Sequence, residues 1–159
     1  MEIVHQKGAA DRAIVTRHQA ASGNLCLLVT LRSDGFPRIS PMEPRVFQDQ
    51  LWLVAVPNTT KFKDLSRDPR FCLHCDDRRT GQRRRRKAVS LVYDVRDKAL
   101  HQRFAMVLLD ETGFDLSGQE FDHFYVADLT GASAVELGGC HLDVTIWKPG
   151  EPERVVRKH

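Results

Sequence analysis

Cysteine is scarce in this chain. Four residues (Cys26, Cys72, Cys75, Cys140) among 159 are too few and too scattered for a disulfide framework in a chain long enough to bury its own core. Long apolar runs are missing too, and nothing approaches the ~18 consecutive apolar residues of a membrane-spanning helix. The opening Met1-Glu2-Ile3-Val4-His5 has no basic segment leading into an apolar stretch, so no secretory signal and a cytoplasmic location are expected. Gly-x-Ser-x-Gly, GxGxxG, P-loop and His-Glu-x-x-His patterns are all absent, which leaves the chain without the sequence marks of the common hydrolase, nucleotide-binding and metalloprotease chemistries. Each of the seven histidines reads as a surface or satisfied core residue.

The remaining composition is that of a globular protein. Hydrophobic residues make up 42% and charged residues 28%, which excludes a disordered chain, and the length fits one domain spanning residues 1–159. The net charge of +3 hides a local concentration. Residues 78–87 hold seven basic side chains and no acidic one, and the remainder holds 17 basic and 21 acidic residues. A general nucleic-acid-binding character is therefore not expected. The Arg83-Arg84-Arg85-Arg86 run reads first as a solvated hairpin loop. It reads second as a recruiter of an anionic partner. No aromatic platform accompanies it, so nucleic acid is not expected as a partner.

Cys72-Leu73-His74-Cys75 has metal-like spacing, but a zinc site needs a second pair and none exists. The segment also reads as a strand, where an offset of three puts the two sulfurs on opposite faces. Buried reduced thiols, and no metal site, are the expectation.

Strands and turns dominate the rest. Leu25–Leu31 is nearly continuous apolar sequence, as in a strand buried on both faces. Asp34-Gly35 predicts a hairpin turn. The strand Pro37–Phe47 carries Pro41 and Pro44, which require an edge or a bulge and free backbone groups to meet a ligand. Asp49-Gln50 turns into Leu51–Val56, and Pro57–Thr60 leads into a short helix from Lys61 to about Ser66, closed by Asp68-Pro69. Further strands are expected over Arg70–Cys75, Ala88–Val95, Phe121–Leu129 (extending toward Glu136) and Cys140–Trp147. Asp97 caps an amphipathic helix with Leu100, Phe104, Val107 and Leu108 on one side, and residues 1–22 give weak helical signals. Hairpin connections without βαβ repeats predict a mainly β fold, a small antiparallel barrel with two or three peripheral helices.

The stretch Asn58-Thr59-Thr60-Lys61 sets two hydroxyls and a lysine at a helix start, where free N–H groups and the macrodipole favour an anion. Spacing alone equally allows Thr59 or Thr60 to act as a plain cap. With no acid–base or metal machinery in the sequence, an enzyme would take its chemistry from a cofactor.

The ordered series Leu-Val-Thr-Leu-Arg-Ser-Asp-Gly-Phe-Pro-Arg-Ile-Ser-Pro (28–41), Leu51-Trp52-Leu53 and Lys61-x-Lys63-x-Leu65-x-x-Asp68-Pro69-Arg70 resembles the pyridoxamine 5′-phosphate oxidase-like superfamily. The resemblance covers residues 25–75 and continues loosely to Trp147. It implies a six-stranded antiparallel split β-barrel that dimerises with a flavin in the subunit groove, and hydride transfer through the isoalloxazine ring. By position, it implies that Arg38 reaches the cofactor phosphate, that Ile39, Ser40 and Pro41 line the ring, and that Val54 and Ala55 face it. Thr60 and Lys61 match the phosphate-binding pair, Thr59 adds a donor, and Arg86 falls near a ring-contacting position. A phosphomonoester near −2 calls for several such donors. The family's vitamin-B6 oxidases carry a lysine for substrate phosphate where Glu43 stands, so pyridoxamine phosphate is not the expected substrate. They carry an arginine in place of Thr60, while several deazaflavin-using relatives carry one in place of Thr59. FMN is the expected cofactor, with coenzyme F-420 as the alternative. A non-catalytic flavin- or haem-binding module is the rival reading.

Overall fold

A computed structural model of the chain describes residues 25–77 and 84–159. The expected N-terminal helical stretch and Arg83 lie outside the described residues. Within them the chain forms nine strands and two helices in the order β1 (Cys26–Leu31), β2 (Pro37–Met42), β3 (Arg45–Phe47), β4 (Gln50–Leu53), α1 (Thr60–Arg67), β5 (Arg70–Asp77), β6 (Arg84–Asp94), α2 (Lys98–Thr112), β7 (Tyr125–Leu137), β8 (Leu142–Trp147) and β9 (Arg154–Lys158). Every pairing is antiparallel. The sheet runs β2-β1-β5-β6-β7-β4-β3, with β8 and β9 added alongside the second half of β7. Its two edge strands, β2 and β3, are separated in sequence only by Glu43-Pro44, so the sheet must curl until its edges meet. No ladder joins them, and Pro44 in the link between them has no N–H to donate to one. The barrel is split at that point.

Three turns set the curl. Gly35 takes φ +82°, a conformation that costs glycine nothing, and its amide donates to the Arg32 carbonyl at 3.0 Å. Gln48 and Asp49 both have positive φ, the signature of the hairpin turn whose twist matches paired strands. Gly113 ends α2 at φ +73°, and Asp97 starts it by accepting from the amides of Ala99 and Leu100, as expected of a cap.

The barrel interior holds Leu28, Leu53, Leu73, Ala88, Ala127 and Trp147, with Phe62 and Leu65 of α1 closing it. A second apolar cluster lies between α2 and the strands, where Phe47, Trp52, Phe104 and Phe124 pack ring against ring.

Several expectations are corrected. β1 is buried on one face only, and Leu27 is 47% exposed. The resemblance counted six strands and the described residues form nine, because the Pro44 break makes two strands of one and because β8 and β9 extend the sheet. β9 had no signal, being mostly exposed and basic at three of its five residues. The arginine run is no simple loop: Arg84, Arg85 and Arg86 belong to β6 and pair with Asp77, Asp76 and Cys75 of β5. Val107 is exposed and Ala105 takes its place on the inner side of α2. Cys26 stands opposite Cys75 on the interior side of the β1–β5 ladder, Cα atoms 4.7 Å apart, and the two form a disulfide. Cys75 is thus not a reduced thiol, whereas Cys72 is free. Spacing could not reveal a pairing 49 residues apart.

One face of α1 is tied to the β1–β2 hairpin at three successive turns. Lys61 donates to the Pro41 carbonyl at 2.7 Å. Asp64 accepts from Arg38 Nε at 2.6 Å and from Thr30 Oγ1 at 2.9 Å. Arg67 donates to the Leu31 carbonyl and lies 3.3 Å from Asp64. The spacing i, i+3, i+6 keeps all three on one side of the helix. Asp64 is 3% exposed. Burial alone would push its carboxyl pKa up, but the hydrogen bonds from Arg38, Thr30 and Arg67 outweigh it and hold the pKa below the ordinary value. A carboxylate depressed in the folded state contributes stability that is fully present above its unfolded pKa of about 3.9 and is lost as pH falls through the folded one. The stability advantage of the native chain over Asp64→Asn, measured by urea unfolding across a pH series, is expected to be constant near neutrality and to shrink below about pH 4.

Candidate functional site

The ties on α1 gather the sequence-predicted residues at the helix N-terminus. Asn58 turns the chain with φ +63° and delivers Thr59 to the N-cap position. There its hydroxyl makes no capping bond; the carbonyl of Thr59, not the side chain, receives the Phe62 and Lys63 amides. Thr59 Oγ1 is nevertheless buried, with no hydrogen-bond partner among the described residues. Buried hydroxyls are nearly always satisfied, so an orphan of this kind calls for a partner from outside the chain. The amides of Thr60 and Lys61, in the first turn, have no carbonyl within the helix to reach.

Lys61 stands in this first turn and Arg38 reaches the helix about one turn on, at Asp64, and both have hydrogen-bonding capacity left over. The Arg38 side chain is 31% exposed, and Asp64 engages it through Nε; neither Nη nitrogen has a partner among the described residues. Lys61 uses one of its three N–H donors on Pro41. Burial pushes the Lys61 ammonium below the ordinary lysine range, as desolvation does to any charged amine. An orphaned hydroxyl, two free amides, a guanidinium edge and a half-buried ammonium together fit a phosphate monoester and give a neutral ligand little to bind. The expected opening of the backbone at Pro41 is real, but its carbonyl receives Lys61.

The remaining predicted residues are distributed as the sheet dictates. Ser40 shares the inward parity of Arg38 on β2, opposite Leu28, whereas Ile39 and Pro41 point outward opposite Val29 and Leu27. Ile39 is 66% exposed. Val54 and Ala55 leave β4 half-buried and line a cavity of about 460 Å³ with Glu43, Arg45, Phe104 and Leu108. Glu43 lies 3.6 Å from Arg45 at this cavity. Arg86 is not brought to the cluster. It sits on β6 opposite Cys75 and Ala134, three strands from β2, or about 14 Å at the usual strand spacing. A larger cavity of about 760 Å³ between α2 and residues 116–121 includes none of the predicted residues.

Asp64 is the residue that the sequence reading missed. A carboxylate between Phe62 and Leu65 on a short helix reads as solvent-facing until β1 and β2 are seen to bring Thr30 and Arg38 against it. The one available signal was its place among apolar neighbours on the inner side of α1. His101 and His123 are satisfied as expected, by the Val95 carbonyl at 2.7 Å and by Asp94 at 2.9 Å.

No protein-family model and no curated protein matches the chain. Solved structures do. The chain is similar to Campylobacter jejuni ChuZ, with 11% identity and a TM-score of 0.69 over 92% of this chain, and it spans 62% of that protein's length. A pyridoxamine 5′-phosphate oxidase-related, FMN binding protein from Nostoc punctiforme superposes with a TM-score of 0.66 at 11% identity, covering 95% of this chain and 96% of that one. A heme binding protein from Mycobacterium smegmatis gives 0.61 at 21% identity, covering 89% of this chain and 59% of that one. These likenesses establish that the chain has the split β-barrel fold shared by pyridoxamine 5′-phosphate oxidase-like FMN-binding proteins and by heme-binding proteins.

Proposed function

We propose that the chain binds a phosphorylated flavin, FMN in the first instance, and acts as an oxidoreductase on a small molecule other than pyridoxamine phosphate. The observation that carries this reading is the orphaned Thr59 hydroxyl at the α1 N-terminus, with Lys61 in the same turn and Arg38 held about one turn on, at Asp64. Thr59, Thr60, Lys61 and Arg38 would hold the phosphate. Ile39, Ser40 and Pro41 on β2, with Val54 and Ala55 beyond β4, would lie along the ring. When bound, the flavin supplies hydride transfer through its isoalloxazine ring. The chain's own contribution is to anchor the phosphate, orient the ring and exclude water. The carboxylate of Glu43 beside Val54 and Ala55 disfavours a phosphorylated substrate, and the phenyl ring of Phe104 and the side chain of Leu108 favour an apolar one.

Coenzyme F-420 is the alternative cofactor, since it too carries a phosphate, as a singly charged diester, for α1 to hold. The specific support for a second reading, a non-catalytic haem- or flavin-holding module, is that solved structures of this fold include a heme binding protein. A homodimer belongs to the proposal. Its support is an outward apolar row across four strands, Ile39–Val29–Cys72–Val89 in register. Ile39 and Val89 are 66% and 43% exposed, a contiguous face of the kind that marks an interaction surface.

Purified protein titrated with FMN, and separately with F-420, is expected to quench the fluorescence of one of them. Lys61→Ala is expected to weaken that binding at least about tenfold, as loss of a charge-assisted contact would; unchanged affinity would make Lys61 a mere solvated helix residue. Affinity is also expected to decline as pH rises through the lowered Lys61 pKa, at a pH below the ordinary lysine value of about 10.4, because the ammonium form binds the anion. Loaded protein that reduces an acceptor with NAD(P)H or reduced deazaflavin supports the enzyme; tight binding without turnover supports the module. Val89→Arg is expected to convert a dimer to a monomer in sedimentation equilibrium, and a wild-type monomer would refute the assembly.

A further inference from the structure

The geometry points to Asp64 as a positioning residue that fixes the Arg38 guanidinium and thereby makes the site select phosphorylated over unphosphorylated flavin. This rests on the phosphate-binding reading above and extends it to a residue that would itself never touch the ligand.

The arrangement is specific. A free arginine side chain samples many rotamers, and ordering it on a ligand weakens binding. Here the ordering is done in advance. Asp64 Oδ2 takes the Arg38 Nε at 2.6 Å and the Thr30 hydroxyl at 2.9 Å, while Oδ1 faces Arg67 at 3.3 Å. Thr30 is 1% exposed and Asp64 3% exposed, so the carboxylate is itself immobile. Occupying Nε turns the guanidinium so that both Nη nitrogens stay available, on the strand that Lys61 joins through Pro41. Arg67, bonded to the Leu31 carbonyl, holds the far side of the carboxylate. The phosphate donors on β2 and on α1 are thus kept in one mutual geometry.

Three accounts of Asp64 make different predictions. If its charge alone mattered, removing an anion beside a phosphate site would tighten FMN binding. If it served only to hold α1 down, its loss would loosen Thr59, Thr60 and Lys61 whether or not Arg38 is present, so the losses in the double variant would add. If it positions Arg38, FMN binding falls, riboflavin binding does not, and the loss depends on Arg38 being present.

The test is fluorescence titration of FMN and of riboflavin against the wild type, Asp64→Ala, Asp64→Asn, Arg38→Ala and the Asp64→Ala/Arg38→Ala double variant, with circular dichroism to verify folding. Wild type is expected to prefer FMN. Asp64→Ala is expected to lose about tenfold in FMN affinity, the scale of one charge-assisted contact misplaced, with riboflavin affinity unchanged. Asp64→Asn, which keeps an acceptor for Arg38 and Thr30, is expected to lose less and serves in place of the alanine variant should that fail to fold. The double variant is expected to bind FMN no more weakly than Arg38→Ala. Tighter FMN binding by either Asp64 variant, equal loss of FMN and riboflavin, or additive losses in the double variant would each overturn the proposal while leaving the flavin reading intact. A wild type that binds FMN no better than riboflavin would overturn the phosphate reading, and this inference with it.

Discussion

A buried carboxylate is expensive to desolvate, and a protein keeps one only where hydrogen bonds replace the lost water. Asp64 has three partners from two strands and its own helix: Thr30, Arg38 and Arg67. The position of α1 against the barrel follows from that constraint. Phe62 and Leu65 close the interior from the same helix, so the apolar and ionic contacts fix it together. The helix N-terminus, with Thr59, Thr60 and Lys61, can only be where these ties put it. Apolar packing alone would hold α1 against the barrel, but it is non-directional and would leave the helix free to rotate; the hydrogen bonds fix its angle.

The split in the sheet has a similar physical origin. No ladder joins edge strands β2 and β3, and Pro44 in the link between them offers no N–H for one. Pro41 lies on edge strand β2, where a missing N–H costs nothing, and its carbonyl is free to take the Lys61 ammonium. The same break sends the chain past Glu43 and Arg45 into the cavity that Val54 and Ala55 line. Proline placement therefore shapes both halves of the candidate site: the anion cradle at α1 and the apolar cavity beneath α2.

Local features were legible where a single residue carries the conformation. The Asp34-Gly35 turn, the Asp97 cap and the Asp68-Pro69 stop each follow from one side chain and its immediate neighbours. Segments with clear alternation, such as β6, could be recognised as strands. Which face is inward could not: Val89 and Tyr93 look like core residues and are exposed, while Ala88 and Ser90 are buried. A period of two says that faces differ and leaves open which neighbour each one meets. The arginines of 84–86 look like a loop by charge, yet their backbone pairs in register with residues 75–77 of β5 as a strand.

The sequence by itself determined the class of fold, the hairpin and helix boundaries, and a hydroxyl-and-lysine cluster suited to an anion, because all of these depend on residues within a few positions of one another. Only the tertiary structure decided that Cys26 meets Cys75, that Arg38 is held by Asp64 while Arg86 stands three strands away, and that the Thr59 hydroxyl is buried without a partner. Those facts depend on strand register and on the angle at which a helix is docked. The docking of α1 and the Cys26–Cys75 pairing are set by contacts between residues 20 to 49 positions apart, and no local spacing encodes such contacts.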